Sequence, residues 1–534
     1  MHLAYERGVR QIWITNVGDP KPMELPISHF MAMAYDISAF QDPMDTVRFT
    51  TEWATRQWGD EVADEAAEIM AEYGMLCARR KYEDLSITPF SFSVVNYDEA
   101  ERNYAEWETL LSRAQEAYDG LSEENQASFF QIVLHPVLAG KTIFEIYSKA
   151  PIGGQYAAEH SQRANGLAQE VRDAFKEDQA ITARYHGLLD GKWNRMLEQT
   201  HIGYDNWQEP PVNSLPSLAT VGDGGTGKLL GIGIQGSDNP STDADSFTLL
   251  PVGPYLPPKE TRHIDIFMRV QGSLSYTATP NASYVNVSNP IGDLRTEGTS
   301  RALSLLSIDW SSVPEGESAV EIAVDVTEPT DAPGAMVTLP LHKRKEPPES
   351  FTGHVESGGA VSIEANHFGD IDASNASYIT SPSYGRTLAG VKLWPVTTPS
   401  QDPSSGPSLV YPFYTYTQTQ SAKVTFYLSA SENADSENAN RYAASMDSGK
   451  PEVVQPVEWT NDAGEEPPGW EEAVTRNAWV RSSEMGALEP GVHELRVLLL
   501  EPTMVVTKVV VDLGGVKESE LGPPESFMVG VADD

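Results

Sequence analysis

The stretch Asn16-Val-Gly-Asp-Pro-Lys-Pro-Met-Glu24-Leu-Pro26 is the part of the sequence that decides the fold. It follows an apolar run at residues 12–15 that predicts a buried strand, and it precedes residues 27–35, which predict a helix. In (β/α) barrels, the loop after each strand carries the reactive side chains. The order of strand, charged loop and helix therefore predicts a unit of such a barrel.

The loop holds three ionisable side chains, Asp19, Lys21 and Glu24, within six residues. Three prolines in the same stretch fix φ and remove backbone donors, so a rigid loop is expected. A rigid loop with several charges suits catalysis, but a surface turn with solvated charges has the same pattern. The spacing alone leaves both interpretations open.

The 534-residue chain is long enough for several domains. Its net charge is -40, so non-specific nucleic-acid binding is not expected, because the phosphates would be repelled. No apolar run approaches the ~18 residues of a membrane span, so no membrane partner is expected either. Three N-glycosylation triplets and the acidic composition favour an extracellular location.

Hydrophobic patterning predicts a multidomain α+β protein. Residues 1–45 are predicted to be the remnant of a (β/α) barrel. Apolar side chains recur at helical spacing through residues 46–210, which predicts an antiparallel helical bundle. Two β-sandwich domains are predicted at residues 211–345 and 350–530, because short alternating runs are separated there by turn residues.

Four further stretches accompany the loop, and together they resemble a known family. They are Ala78-Arg-Arg-Lys-Tyr-Glu83, Gly191-Lys-Trp-Asn-Arg-Met196, Gln199-Thr-His-Ile-Gly-Tyr204 and Leu521-Gly-Pro-Pro-Glu-Ser526. With the loop, they resemble glycoside hydrolase family 115, the xylan α-1,2-glucuronidases. The resemblance implies an enzyme that removes α-1,2-linked (4-O-methyl)glucuronic acid from the polysaccharide glucuronoxylan, with inversion at the anomeric carbon.

Members of this family carry a small N-terminal domain and most of a barrel before this loop. The resemblance therefore implies that this chain is the C-terminal part of such an enzyme, with one or two βα units of the barrel. We expect the chain alone to have little or no activity. The main alternative is a non-catalytic carbohydrate-binding or scaffold protein.

By the same resemblance, Glu24 matches the glutamate of the family's Lys-Pro-x-Glu loop and is the candidate for acid/base catalysis. Asp19 is the other local carboxylate, and holding the loop or the sugar hydroxyls suits it better. Inverting glycosidases need two carboxyl groups roughly 6.5–9.5 Å apart, and the second is expected upstream of this sequence. The alternative for Glu24 is a helix N-terminal residue that the helix dipole favours.

A uronic acid is anionic, so an acidic protein needs a local cation to bind it. Lys21 is one candidate, and a salt bridge to Asp19 or Glu24 is its alternative. Arg79 or Arg80 is another, because arginine binds carboxylates bidentately. The alternative for the arginines is a basic helix C-terminus that complements the dipole.

Aromatic side chains are the remaining candidates for substrate binding. His201, Tyr204 and Trp207 cluster where the bundle ends, and form either a sugar platform or a plug between domains. Tyr73 lies on the helix that the family places at the cleft. Tyr442 matches a family position that sends an aromatic side chain from the last domain into the cleft, and its supply by a partner subunit would require a homodimer.

No metal and no cofactor are assigned from the sequence. His186, Glu198 and His201 do not have the spacing of metal ligands, and no His-Glu-x-x-His motif is present. The stretch Gly222-Asp-Gly-Gly-Thr-Gly-Lys228 keeps the spacing of a phosphate loop but lacks the Ser or Thr that should follow. It is interpreted as a turn.

Overall fold

The computed structural model describes residues 1–87, 91–206, 208–222, 228–237, 244–372, 376–435, 437–460 and 464–530. Helices occupy the first part of the chain and strands the second. The helices are α1 (His2–Glu6), α2 (Glu24–Tyr35), α3 (Met44–Trp58), α4 (Asp60–Ala78), α5 (Glu99–Asp119), α6 (Glu123–Phe129), α7 (His135–Ala158), α8 (Arg163–Gly191) and α9 (Trp470–Thr475). The predicted order of helices followed by several β-sheets is confirmed.

The helices share one buried core. Apolar side chains three and four positions apart lie on the same face of a helix, and α4, α5 and α7 bury these faces against one another. At the centre, the Trp107 and Phe144 rings stack 4.9 Å apart, and both side chains are fully buried. Burial of this area supplies most of the stability of the helices, because isolated helices of this length are marginal in water.

Pro136 lies in the first turn of α7. A π-helical turn, Phe130–Leu134, joins α6 to α7 immediately before it. Proline cannot donate an intrahelical hydrogen bond and its ring crowds the preceding turn, so a widened turn at this point accommodates it. The joined stretch Glu123–Ala158 is long and apolar enough to span a membrane, but 72% of its most apolar window is buried inside the fold, as expected of a core helix.

Residues 12–15 do not form the predicted buried strand. They have no regular secondary structure, and the Ile12 and Ile14 side chains are 72% and 82% exposed. A strand needs a hydrogen-bonded neighbour, and none of the strands among the described residues pairs with this segment. The prediction of a buried strand at residues 12–15 is therefore wrong. The following helix, α2, is present and begins at Glu24.

The strands of the middle unit form two sheets. They are β1 (Leu230–Gly233), β2 (Ser246–Thr248), β3 (Arg262–Met268), β4 (Ser273–Pro280), β5 (Val285–Val287), β6 (Ile291–Arg295), β7 (Arg301–Ile308), β8 (Gly316–Glu328) and β9 (Ala335–Lys343). One sheet has the order β1-β3-β7-β5 and the other β2-β9-β8-β4-β6. Both contribute to one apolar core, because alternate side chains of each strand point inward.

The C-terminal unit is built in the same way. Its strands are β10 (Gly353–Val355), β11 (Ala360–Glu364), β12 (Asp370–Asp372), β13 (Ser377–Pro382), β14 (Ala389–Trp394), β15 (Ser408–Thr415), β16 (Lys423–Ser429), β17 (Tyr442–Met446), β18 (Glu452–Val454), β19 (Ala478–Glu484), β20 (Gly491–Leu499), β21 (Val505–Asp512) and β22 (Met528–Val529). One sheet has the order β18-β17-β20-β15-β10-β22, with β12 beside β15. The other has the order β13-β14-β21-β16-β19, with β11 beside β21. The two sheets again share one core.

Buried polar contacts fasten both β units to the helices. Asp265 on β3 accepts hydrogen bonds from the Tyr156 hydroxyl on α7, at 2.5 Å, and from the Arg301 guanidinium, at 2.7 Å. Glu99, at the start of α5, accepts from the backbone amides of Glu520 and Leu521, at 2.9 and 2.7 Å. Such bonds between buried groups are costly to break, so they fix the positions of the β units against the helices.

Candidate functional site

The charged loop folds back onto the start of α2. Lys21 forms an ion pair with Glu24, the first residue of the helix. The two side chains are 25% and 23% exposed, so the pair is reachable from solvent but partly desolvated. The second carboxylate oxygen of Glu24, Oε2, is buried without a hydrogen-bond partner. The structure thus gives Lys21 the salt bridge that was its alternative, and leaves one carboxylate oxygen of Glu24 buried without a hydrogen-bond partner.

A second segment, from the end of α8, completes the site. The Nζ atom of Lys21 lies 4.7 Å from the centroid of the Trp193 ring, and that of Lys192 lies 5.0 Å from it. Asp19 accepts a hydrogen bond from the backbone amide of Leu197 at 2.6 Å. We call these residues, Asp19, Lys21, Glu24, Lys192 and Trp193, the loop site. It combines two carboxylates, two ammonium groups and an aromatic face.

The backbone that carries Trp193 is unusual. Four non-glycine residues within nine positions have positive φ: Leu189 (52°), Asp190 (57°), Arg195 (71°) and Leu197 (55°). Such conformations cost free energy for side chains with a Cβ atom, and they persist only where the surroundings enforce them. The Asp19 carboxylate supplies part of that enforcement through its bond to Leu197. Clusters of this kind occur at functional sites, which supports a role for this segment.

Buried polar residues of the helices support the segment from below. The Nε2 atom of His186 donates to the Met196 carbonyl at 2.9 Å. His201 donates from Nε2 to Asp178 on α8 at 2.7 Å and from Nδ1 to the Gln199 carbonyl at 2.8 Å. The Asp178 carboxylate raises the pKa of His201. His201 is therefore held as an anchor of this segment in the structure, and its predicted sugar contact remains untested.

Tyr204 lines a separate open cleft of about 940 Å³. The cleft lies between the end of α4, residues 203–206 and α9, and Tyr147 and Trp470 also face it. The Tyr147 hydroxyl accepts a hydrogen bond from the Gly203 amide at 3.1 Å, which places Tyr204 at the rim. Aromatic side chains around a wide cleft suit sugar rings, so this is a second candidate carbohydrate surface. Trp207 lies outside the described residues.

Arg79 and Arg80 lie in the contact between the helices and the C-terminal unit. Arg79 is 3% exposed, pairs with Glu106, and donates to the Arg386 carbonyl at 2.9 Å. Arg80 donates to the Asp84 carbonyl at 2.8 Å, and its guanidinium is 3.7 Å from the Glu520 carboxylate. Both guanidinium groups are thus engaged by protein partners. The structure gives them partners in the C-terminal unit that the sequence did not suggest, and their predicted contact with a substrate carboxylate stays a prediction.

Tyr73 packs against the edge of the helical core, and Tyr442 lies inside the core of the C-terminal unit. The Tyr73 ring packs edge-on against Trp107 at 6.0 Å, and burial raises the pKa of its hydroxyl. Tyr442 is fully buried in the C-terminal unit, with its ring 4.5 Å from that of Phe426. A ring enclosed by its own unit does not reach a cleft in this chain or in a partner. The placement therefore removes the reason for expecting Tyr442 to act across a homodimer, and the homodimer itself remains untested.

Among the described residues, one group of three side chains has the atoms and the closeness needed for a metal ion. It consists of His354, His367 and Glu525, in the C-terminal unit and not in the loop site. Local spacing did not reveal it because its members come from three distant segments. Trp193 and Lys192 were also missed as site residues. Their signal was the stretch Gly191–Met196, which the sequence analysis used only as a family motif.

Comparisons with known proteins identify the class of this fold. The model "Glycosyl hydrolase family 115" matches residues 1–84, and the model "Glycosyl hydrolase family 115 C-terminal domain" matches residues 353–525. These matches and the fold define a carbohydrate-active protein. The chain belongs to glycoside hydrolase family 115. No curated protein matches it.

Solved structures give the extent of the similarity. BtGH115A, a family 115 4-O-methyl-α-glucuronidase with specificity for decorated arabinogalactans, shares the fold with a TM-score of 0.53 and 15% identity over 95% of this chain. The match covers 46% of that relative's length. The C-terminal family 6 carbohydrate-binding module of a Zobellia galactanivorans laminarinase matches at 11% identity and a TM-score of 0.19, covering 29% of this chain and 98% of its own. A carbohydrate-binding module from Cellvibrio mixtus lichenase 5A matches at 11% identity and a TM-score of 0.19, and the match covers 28% of this chain and 95% of the module.

Proposed function

We propose that the loop site serves the hydrolysis of α-1,2-linked (4-O-methyl)glucuronic acid side chains of glucuronoxylan, with inversion at the anomeric carbon. The observation that carries this proposal is the Lys21–Glu24 pair beside the Trp193 ring. It places a carboxylate, a cation and an aromatic face together in one half-buried position. An inverting glycosidase that acts on a uronic acid needs two carboxyl groups and a cation for the substrate, and this position supplies one of the carboxylates and the cation. Family membership supports the same reaction class.

Lys21 and Lys192 supply the positive charge that the substrate requires. A protein of net charge -40 repels an anionic sugar, so binding depends on a local cation in a partly desolvated place. The apolar face of the sugar ring stacks on Trp193, while its carboxylate pairs with the ammonium groups that flank the indole. This arrangement fixes both the position and the orientation of the uronic acid.

Glu24 is proposed as the general base. The ion pair with Lys21 holds the Glu24 side chain in the loop site, and a carboxylate so placed can accept a proton from water. In an inverting reaction this carboxylate activates water on one face of the sugar, and a separate acid protonates the leaving oxygen.

Asp19 is proposed as a positioning residue. Its carboxylate is occupied by the Leu197 amide, 2.6 Å away, and so it holds the segment that presents Trp193. This favours the loop-holding role over direct participation in the reaction.

The uronic acid that the loop site is proposed to bind could be attached to either of two polymers. The solved relative acts on decorated arabinogalactans, whereas the family resemblance of the motifs implies glucuronoxylan. Both carry a uronic acid, and the loop site is proposed to bind the uronic acid and not the polymer backbone. Assays on the two polymers therefore separate the substrates without changing the proposed chemistry.

The test is the release of free uronic acid from glucuronoxylan, measured by anion-exchange chromatography. The wild-type chain is compared with Glu24→Gln, and with Glu52→Gln as a control at an exposed surface ion pair. High protein concentration makes slow release detectable. Any release is expected to be lost in Glu24→Gln and kept in Glu52→Gln. Release that folded Glu24→Gln retains in full would contradict the proposed role of Glu24.

A non-catalytic carbohydrate-binding protein is the second candidate function. The cleft lined by Tyr147, Tyr204 and Trp470 favours it, because that cleft has aromatic faces but lies apart from the Lys21–Glu24 pair. Xylo-oligosaccharide binding that is weakened by Tyr204→Ala, together with absence of hydrolysis, would support this function. Binding unaffected by Tyr204→Ala would count against it.

A further inference from the structure

Three side chains from distant segments meet in the C-terminal unit. His354 lies on β10, His367 follows β11, and Glu525 belongs to the final segment of the chain. The Oε1 atom of Glu525 is 3.1 Å from Nε2 of His354 and 2.7 Å from Nδ1 of His367. One ligating atom from each residue lies within 4.8 Å of the others. The group is independent of the loop site.

The hydrogen bonding at Glu525 is crowded on one oxygen. Besides the two imidazole nitrogens, the backbone amide of Glu364 donates to the same Oε1 atom at 3.0 Å. A carboxylate oxygen has two lone pairs, so three donors exceed its capacity. If an ion binds Oε1, the two imidazoles turn their lone pairs to the ion and the backbone amide keeps its bond. The convergence of the three side chains is therefore better accounted for by an ion than by hydrogen bonds alone.

We propose that His354, His367 and Glu525 bind a divalent transition-metal ion of the zinc class. Two imidazoles and one carboxylate are borderline ligands that suit zinc, whereas calcium and magnesium prefer oxygen ligands alone. The His354 side chain is 1% exposed, and those of Glu525 and His367 are 26% and 37% exposed. The site is thus anchored on one side and open on the other, where water completes a four-coordinate shell.

The nearby charges are compatible with an ion. The Lys508 ammonium is buried close by, but it lies 3.5 Å from the Glu364 carboxylate and donates to the Leu521 carbonyl at 3.3 Å. The positive charge of Lys508 is therefore balanced by Glu364. The Glu525 carboxylate supplies the negative charge that a cation bound between the two imidazoles requires.

The proposed ion has a structural role. Its ligands join β10, the turn after β11 and the segment that contains Leu521–Ser526, so the ion cross-links the end of the chain to both sheets of the C-terminal unit. Backbone contacts along this segment, such as the Ser526 amide to the Ser362 carbonyl at 2.8 Å, already place it there. An ion that binds the folded but not the unfolded chain stabilises it by mass action.

The test is thermal unfolding of the full chain after removal of metal ions with a chelator. Adding zinc chloride is expected to raise Tm, with saturation at one equivalent of bound zinc by metal analysis. Calcium chloride at the same concentration is expected to leave Tm unchanged. His367→Ala should abolish the rise, and His493→Ala is the matched control, because His493 is also paired with a carboxylate, that of Asp447, but lies outside the group.

Two results would overturn the proposal. One is a wild-type Tm that zinc does not raise. The other is a rise that persists in His367→Ala, which would place the ion elsewhere on the protein. Because His367 is more than one-third exposed, its replacement leaves little cavity and the variant is expected to fold. Glu525→Gln provides a second variant. If His367→Ala and Glu525→Gln both still bind one equivalent of zinc, the assignment of the ion to this group is contradicted.

Discussion

Asp19 accepts a hydrogen bond from the backbone amide of Leu197, 178 positions further along the chain, at 2.6 Å. This contact joins the charged loop before α2 to the irregular segment after α8. It holds Leu197 in a positive-φ conformation and brings Trp193 within reach of Lys21. The loop site therefore depends on a bond between two segments that are remote in sequence.

Asp19→Ala should loosen this segment. Loss of a hydrogen bond to a charged acceptor removes about 1.5–3 kcal/mol where the group is buried, and Asp19 is only half-buried, so the lower end of that range is expected. The free energy of unfolding is measured by urea denaturation, with Glu198→Ala in the same exposed segment as the control. Equal stability of Asp19→Ala and wild type would show that the bond does not hold the segment.

Glu24→Gln should lower kcat by at least ~10²-fold, the usual scale for loss of acid/base assistance. The amide keeps the shape of the side chain, so Tm is expected to change little. Single-turnover release of uronic acid at saturating enzyme isolates the chemical step. A variant that keeps the wild-type rate and a normal melting curve would remove Glu24 from the mechanism.

Two histidines give opposite pH dependences to stability. Burial lowers the pKa of His135 to about 4, from an ordinary value near 6.5, so the unfolded chain binds this proton first as pH falls. Stability from this group is complete above pH 6.5 and falls by about 3 kcal/mol as pH drops toward 4. The Asp178 carboxylate raises the pKa of His201, so the stability from that pair is complete below pH 6.5 and is lost as pH rises through the raised pKa.

Urea denaturation at several pH values tests this sign. The wild type should lose more stability between pH 7 and pH 4.5 than His135→Gln, whose side chain keeps hydrogen-bonding atoms but cannot be protonated. The His201–Asp178 pair and the carboxylates titrate in both proteins and cancel in the difference. Identical pH dependences would show that His135 is not held neutral in the folded state.

Arg79→Met should destabilise the contact between the helices and the C-terminal unit. Removing one partner of a buried ion pair typically costs about 3–5 kcal/mol. Glu106 is partly exposed and keeps its ion pair with Lys259, 3.2 Å away, so a loss below that range is expected. Calorimetry should show a lower Tm or a second transition. Arg48→Met, at an exposed ion pair, is the control and should leave the transition unchanged. Similar melting of both variants would contradict the interdomain role.

The features that could be predicted from the sequence are those that local sequence patterns determine. Helices α4 and α5 follow from 3.6-residue periodicity, and the alternation of Val320, Ile322 and Val324 with exposed residues marks β8. The loop with Lys21 and Glu24 was found because its charges and prolines are adjacent in sequence. In each case the information lies within about one element of structure, where spacing determines which side chains share a face.

Features that depend on contacts between distant segments could not be predicted from the sequence. Residues 12–15 have strand-like hydrophobicity, but a strand also needs a partner, which local sequence does not reveal. Arg79 and Arg80 were interpreted as substrate cations, yet their partners include Arg386 and Glu520, some 300 to 440 positions away. The closeness of Lys21 to Trp193 likewise arises from folding and not from spacing.

Lys21→Met tests most directly whether the loop site binds a uronic acid through the negative charge of its carboxylate. Isothermal titration compares a 4-O-methylglucuronic acid-substituted xylo-oligosaccharide with the neutral glucoside of the same linkage, using wild type, Lys21→Met and the exposed-lysine control Lys176→Met. Loss of one charge-assisted bond predicts at least about tenfold weaker binding of the acid by Lys21→Met, and a change of less than about twofold for the neutral sugar. Equal weakening for both sugars, or none for the acid, would contradict the account.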